Sequence, residues 1–479
     1  MIDFKFKTSG KTRKEHDLIG DKEVPAEALF GVQTLRAAEN FNISCYTLTD
    51  FPCFVKGFGY TKKAAALANH SLGLIPDAKL KVILAACDEL IEGKLLEHFP
   101  IDMIQGGAGT SCNMNANEVI ANRALELMGK KHGEYQFVHP NDDINMAQST
   151  NDAYPTAMHL GLYMLNMELN AALIPMIESI DKKAKEFANV IKMGRTQLQD
   201  AVPMTLGQSF HAFSTALKNE LKKVNAAAEG LLTINMGATA IGTGITAEPG
   251  YAQACTKFLK EVTGWNIKLA ADLVEATNDT SCMVAYHGAL KQLAIRVSKM
   301  CNDLRLLSSG PRTGLQEINL PPKQPGSSIM PGKVNPVIPE VMNQICFKVF
   351  GNDVTVNFAS EAAQLELNVM EPVLVESVAE SIMWLANGFK AMKVECIDGI
   401  TANKKHCKEL AVNSIGIVTA LKPYIGYAKS TEVAKEALET GGSVYDLVLA
   451  KKYLSKKQLD TILDPKNMTK PAALIDLNK

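Results

Sequence analysis

Two serines, a lysine and an asparagine fall within the stretch GSSIMPGKVNP (326–336), set between glycines and prolines with no histidine or carboxylate among them. Hydroxyls, one cation and a backbone free to bend are the equipment for gripping an anion, and for proton transfer only where the surroundings make a hydroxyl basic. Three further polar segments have the same character: QGGAGTSCNMNANE (105–118), HPNDDINMAQSTND (139–152) and GRTQLQDAVPMTLGQ (194–208). Loops of this kind commonly carry function. Their surplus of hydroxyls and amides over ionisable groups suits a small polar anion held by many neutral hydrogen bonds and one or two cations.

Other chemistries fit these segments poorly. In GSSIMPGKV five residues separate Gly326 from Gly332, where a phosphate loop requires four, and Val334 stands where that loop has a metal-binding Ser or Thr. GGAGTS has no preceding strand and lacks the third glycine of a dinucleotide site, which leaves a glycine-rich helix entry as its plain reading. STND (149–152) reads first as a helix cap, a role compatible with binding anions at a helix N-terminus. The nine histidines show no HExxH or comparable spacing, so a tightly held catalytic zinc is not expected. His139, before Pro140, reads as a turn residue, as do Asp142 and Asp143. Lys333 by itself is an ordinary solvated lysine. Beside Ser327, Ser328 and Asn335 it becomes a charge placed to hold a carboxylate.

The elements that must position these segments are mostly helical. Phe210, Phe213, Leu217, Leu221, Val224 and Ala228 recur at three- and four-residue steps, as do Leu290, Leu293, Ala294, Val297, Met300 and Leu304. A third periodic stretch begins at Pro372, a residue suited to a first helical turn. Strand-like runs are short and few, so the fold class expected is mainly α (all-α), with long packed helices at its centre. Faces apolar beyond one stripe call for partners on several sides and point to an oligomer.

At 479 residues the chain is long enough for two or three domains. Its 50 Lys+Arg against 51 Asp+Glu, without long blocks of one sign, give no reason to expect nucleic acid or an anionic membrane as partner. The ten cysteines lack CxxC pairs and read as reduced thiols. The N-terminal MIDFKFKTSGKTRKEHD has no leader-like apolar core, and no apolar run is read as reaching the ~20 residues of a membrane span. The expectation is a cytoplasmic protein.

Together the four segments resemble those of the aspartase/fumarase superfamily, with GSSIMPGKVNP in the place of its signature loop; the likeness runs almost end to end from GDKEVPAEALFGVQTLRAAENFNIS (20–44). RAAENFNIS, HPNDDIN and GRTQ are most similar to the ammonia-eliminating branch, where class II fumarases have HPNDHVN and GRTH. The resemblance implies a three-domain fold divided near 148 and 403 (1–148, 149–403, 404–479), the central long helices joining four subunits in a tetrameric helical core, with each active site drawn from three of them. It implies reversible anti elimination of ammonia from L-aspartate to give fumarate, with no organic cofactor. Activation by Mg2+, known in relatives, is not deducible from the sequence. Ser327 matches the general base, with backbone N–H groups around Pro336 to Glu340 expected to favour its alkoxide. Thr110, Ser149, Thr150 and Ser328 match the positions around the β-carboxylate; Thr196, Lys333 and Asn335 those that grip the α-carboxylate; Asn151, with Thr110, the holder of the ammonium group. Gln197 stands where many relatives have histidine, which suits loss of ammonia, able to leave already protonated, better than loss of hydroxide. Ala147 replaces a serine common before QSTND. A class II fumarate hydratase and a structural protein akin to lens crystallins are the alternatives.

Overall fold

The computed structural model describes residues 4–469, 471, 474 and 475, so the outermost parts of the expected 1–148 and 404–479 domains lie outside the described residues. Seventeen α-helices occur among the described residues, and the strands form only two-stranded pairings. The chain divides into two compact units: residues 1–170, 221–294 and 347–386 make one, and 171–220, 295–346 and 387–479 the other.

In the first unit an antiparallel hairpin, Thr12–Asp17 with Gly20–Pro25, precedes the helices Val32–Asn40, Pro52–Ser71, Asp77–Ile91 and Thr110–Leu127. The buried Glu118 carboxylate accepts from the backbone N–H groups of Gly31 (2.8 Å), Gln33 (3.0 Å) and Thr34 (3.1 Å) and so caps the Val32–Asn40 helix from a distant element. The Pro52–Ser71 helix crosses the start of the long Thr150–Glu186 helix through two glycines. A methyl at Gly57 would overlap the Ala157 carbonyl, and one at Gly161 would lie 2.8 Å from Phe54 Cα. This close crossing sets the spacing beneath the Ser149–Asn151 segment.

The predicted faces are buried as their periodicity requires, apart from Phe213 and Leu221, which are half-buried. Leu290, Leu293, Ala294, Val297, Met300 and Leu304 line the inner side of the Ser281–Leu307 helix, and Phe210, Leu217, Val224 and Ala228 that of Leu206–Ala228. Pro372 lies in the first turn of Glu371–Ala391. One expectation needs correcting. Thr150–Glu186 is long and apolar enough to span a membrane, with a mean hydropathy of 1.3 in its most apolar window. Asn, His and Glu interrupt the apolar run in the sequence; 56% of that window is buried within the protein, so much of its apolarity is taken up by packing.

The second unit holds the hairpin Ile191–Thr196 with Gln199–Thr205 and a small helical cluster in which Met193, Ile417, Leu421, Val433, Val448 and Leu459 form a buried core. Asn403 precedes its Lys404–Asn413 helix.

Candidate active site

The nine residues singled out from the sequence fall into two groups. Thr110, Ser149, Thr150 and Asn151 belong to the first unit, and Thr196, Ser327, Ser328, Lys333 and Asn335 to the second.

In the first group the Ser149–Asp152 turn is a helix cap, as STND suggests. Ser149 Oγ accepts from Asn151 N (3.2 Å) and Asp152 Oδ1 accepts from Ser149 N (2.9 Å). Asp152 Oδ2 also accepts from Gly237 N and Thr239 N, both at 3.0 Å, and ties the 237–239 loop to the helix start. Burial pushes the Asp152 carboxyl up to about 6, while these N–H groups and nearby Lys62 hold it lower than burial alone would. Asn151 Nδ2 donates to the Ala240 carbonyl (2.7 Å), and Asn235 Nδ2 donates to the Asn151 carbonyl (3.0 Å). With its amide nitrogen anchored, Asn151 turns Oδ1, an acceptor, the other way. Thr110 opens its helix, and its hydroxyl donates to the Gly107 carbonyl (2.8 Å), which leaves the lone pairs of Oγ1 to receive a donor. Beneath this layer lies Lys62, 1% exposed, bonded to Asn113, Asn145 and Gln148.

His139 and Asp143 keep to the turn roles expected. His139 Nδ1 accepts from the N–H groups of Asn141 and Asp142 at 3.1 Å, and Asp143 accepts from His139 N (2.8 Å) while pairing with Lys79 through both carboxylate oxygens at 2.8 Å.

In the second group, Thr196 ends one strand of the hairpin and faces solvent. The turn beyond it, Gln197–Leu198, has positive φ at both residues (54° and 62°), the left-handed pair of a tight hairpin turn. At the root, Glu317 is fully buried between Arg195 Nη1 (2.6 Å) and Lys192 Nζ (3.1 Å), which fixes the strand leading to Thr196.

The signature loop has a closed neck and an open tip. Gly326 N donates to the Lys333 carbonyl (2.7 Å) and Asn335 Nδ2 donates to the Gly326 carbonyl (2.9 Å). A Cβ at Gly326 would sit 2.7 Å from that Lys333 oxygen, so the neck requires glycine. At the tip, Ser327 Oγ accepts from the backbone N–H groups of Ile329 (3.2 Å) and Met330 (3.0 Å). This corrects the expected source of support. The donors come from the loop itself, whereas Glu340 N, in the following Val337–Glu361 helix, bonds the Pro336 carbonyl. Ser328 and Lys333 are exposed, and so are Ile329 (83%) and Met330 (48%).

Sequence reading passed over Lys62, Lys192 and Glu317, and read Asp152 only as part of the STND cap. For Lys62 a signal existed: Phe54, Phe58, Lys62, Ala65 and Asn69 share one helical row, and a lysine on an otherwise buried row calls for a partner. For Glu317 no local pattern announces the pairing.

A family model described as Lyase matches residues 20–351, and one described as Fumarase C C-terminus matches residues 417–470. The chain belongs to the aspartase/fumarase superfamily. Among its relatives, the aspartate ammonia-lyase of Pseudomonas aeruginosa is 55% identical over 461 residues, covering 96% of this chain and 97% of that protein. That of Escherichia coli is 54% identical over 465 residues, 97% of each. Of solved structures, the fumarate lyase:delta crystallin from Brucella melitensis bound to cobalt aligns with TM-score 0.93 at 49% identity, over 96% of this chain and 100% of that one. A class II fumarase from Schistosoma mansoni aligns with TM-score 0.89 at 32% identity, over 96% and 99%. The mainly α fold read from the sequence is that of the superfamily.

Proposed function

We propose that the chain is an aspartate ammonia-lyase, a carbon–nitrogen lyase that eliminates ammonia from L-aspartate to give fumarate. Relatives 54–55% identical along almost the whole chain carry that name, while the class II fumarase stands at 32%. The observation in this chain that carries the mechanism is the pair of N–H groups aimed at Ser327 Oγ. A serine hydroxyl is a poor base, and two fixed donors on its oxygen favour the alkoxide over the alcohol.

Ser327 takes the proton from the carbon beside the β-carboxylate. The electron pair moves onto that carboxylate as an aci-carboxylate dianion, then returns to form the double bond as the C–N bond breaks and ammonia leaves. Thr110, Ser149, Thr150 and Ser328 surround the β-carboxylate; Ser149, Thr150 and Ser328 offer neutral donors whose bonds strengthen as charge grows there, and Thr110 joins them only where its hydroxyl turns from the Gly107 carbonyl. Thr196, Lys333 and Asn335 hold the α-carboxylate, Lys333 with a charge-assisted bond. Asn151 Oδ1, with Thr110 Oγ1, receives the ammonium. Closure of the loop over substrate brings Ser327 to the proton and buries Ile329 and Met330. Gln197 leaves no imidazole beside the leaving group, and an ammonium needs none.

The assembly belongs to the same reading: a cytoplasmic homotetramer, with the family's division near 148 and 403, in which neither nucleic acid nor membrane takes part. Phe347, Val354 and Phe358 of the Val337–Glu361 helix, 58%, 55% and 71% exposed, supply the apolar face that other subunits would cover. The native mass should be near four times 51.9 kDa, with Phe358→Lys lowering it. Mixing inactive Ser327→Ala and Thr196→Ala subunits should restore some activity. No organic cofactor enters the steps. Activation by Mg2+ is carried over from relatives, and among the described residues no group of three or more His, Cys, Asp or Glu side chains is placed to hold an ion.

Ultraviolet detection of fumarate tests the assignment. L-Aspartate should yield it readily and L-malate only marginally; equal or better rates with malate would make the protein a hydratase, and no product from either would favour a crystallin-like structural role.

A further inference from the structure

The Lys62 ammonium donates to Asn113 Oδ1 (2.6 Å), Asn145 Oδ1 (3.0 Å) and Gln148 Oε1 (2.9 Å), so three N–H bonds meet three neutral carbonyl oxygens. A neutral amine has two N–H bonds and would turn its lone pair toward a carbonyl, so this set of acceptors selects the charged form. Burial pulls Lys62 down to about 7, and the nearby Asp152 carboxylate favours the ammonium. Asp152 does not bond it; its oxygens accept instead from the N–H groups of Ser149, Gly237 and Thr239.

The lysine also decides which way Asn113 faces. With Oδ1 turned to the ammonium, the Asn113 NH2 points away, and it donates to Thr150 Oγ1 (3.2 Å) and Asn145 Oδ1 (3.1 Å). Because Thr150 Oγ1 already accepts a bond from behind, its own hydrogen is left for the opposite side. We propose that Lys62 is a positioning residue for the elimination, acting through Asn113 to present the Thr150 hydroxyl as a donor and placing a buried positive charge behind it. The proposal rests on the assignment of Thr150 to the β-carboxylate. Its consequence is differential: a charge one layer back interacts most with the state in which the carboxylate charge has grown, so its loss falls on kcat more than on KM.

A double-mutant cycle on the full-length assembled enzyme tests this, with steady-state fumarate formation from L-aspartate as readout. Lys62→Met should lower kcat by about 10- to 100-fold, the range of a charge-assisted bond, with KM within about threefold. In a Thr150→Val background the same change should cost at least about threefold less, because the group it orients is gone and only the direct effect of the buried charge remains. Where Lys62→Met does not assemble, Asn113→Ser breaks the relay one step later with the lysine in place, and its cycle with Thr150→Val is read in the same way. A second measurement compares binding of succinate with that of a nitronate analogue of the aci-carboxylate: Lys62→Met should weaken the nitronate at least about tenfold more. Full multiplicative losses in the cycle, or equal weakening of both analogues, would reduce Lys62 to a packing role and overturn the proposal. Fumarate formation by the unmodified enzyme is measured first, so failure of the functional assignment is told apart from failure of the relay.

Discussion

Replacing Glu317 should loosen the hairpin that carries Thr196. Its carboxylate is fully buried, 2.6 Å from Arg195 Nη1 and 3.1 Å from Lys192 Nζ, and Lys192 is itself buried. Glu317→Ala leaves two cations without their anion in a poorly solvated place, and breaking a buried pair from one side costs about 3–5 kcal/mol. An unfolding entropy of ~2.1 cal/mol/K per residue gives ~1 kcal/mol/K for a chain of 479 residues, so a cooperative transition should fall by about 3–5 °C. Glu317→Gln keeps the shape and two polar atoms and should fall by less. The pair Lys192→Met and Glu317→Leu removes one cation and its anion together and should recover part of the loss. Differential scanning calorimetry reads the midpoints, and amide hydrogen exchange over 191–205 reads the hairpin directly. A midpoint for Glu317→Ala within 1 °C of the unmodified protein, with unchanged exchange in the hairpin, would refute the reasoning.

Two further outcomes follow from the same kind of argument. Burial pushes Glu371 up from 4.5 to about 8, so the folded chain keeps a proton that the unfolded chain has lost; stability from this group is complete below ~4.5 and falls as pH rises toward 8, by ~1.4 kcal/mol per unit. Glu371→Gln should therefore flatten the decline of the thermal midpoint between pH 5 and 8, and parallel curves would contradict that. Gly326→Ala forces a methyl against the Lys333 carbonyl and should part the neck of the signature loop, lowering kcat at least about tenfold with little change in thermal midpoint; full activity would show that the neck can open without cost.

Much of the fold was legible because it is written in local periodicity. The row from Leu290 to Leu304 is buried along its length, and Pro372 opens its helix, since a helix face is set by three- and four-residue spacing alone. The STND cap was legible for the same reason, its donors and acceptors lying within four residues. What escaped depends on contacts distant in the chain. Glu317 meets Arg195 across 122 residues, and Lys62 meets Gln148 across 86. The N–H pair on Ser327 is local, yet it depends on how the loop bends at Ile329 and Met330, which glycine and proline punctuation permits without specifying. The long Thr150–Glu186 helix was underestimated because scattered Asn, His and Glu residues hide a high average apolarity.

The role of Ser327 is tested most directly by hydrogen exchange at the carbon it is said to deprotonate. In deuterated water with L-aspartate, the unmodified enzyme should place deuterium beside the β-carboxylate of recovered aspartate. Ser327→Ala, correctly assembled and still binding L-aspartate, should lose that exchange together with at least ~10²-fold of its turnover. Exchange persisting in Ser327→Ala at near the unmodified rate would contradict the account, because some other group would then be removing the proton.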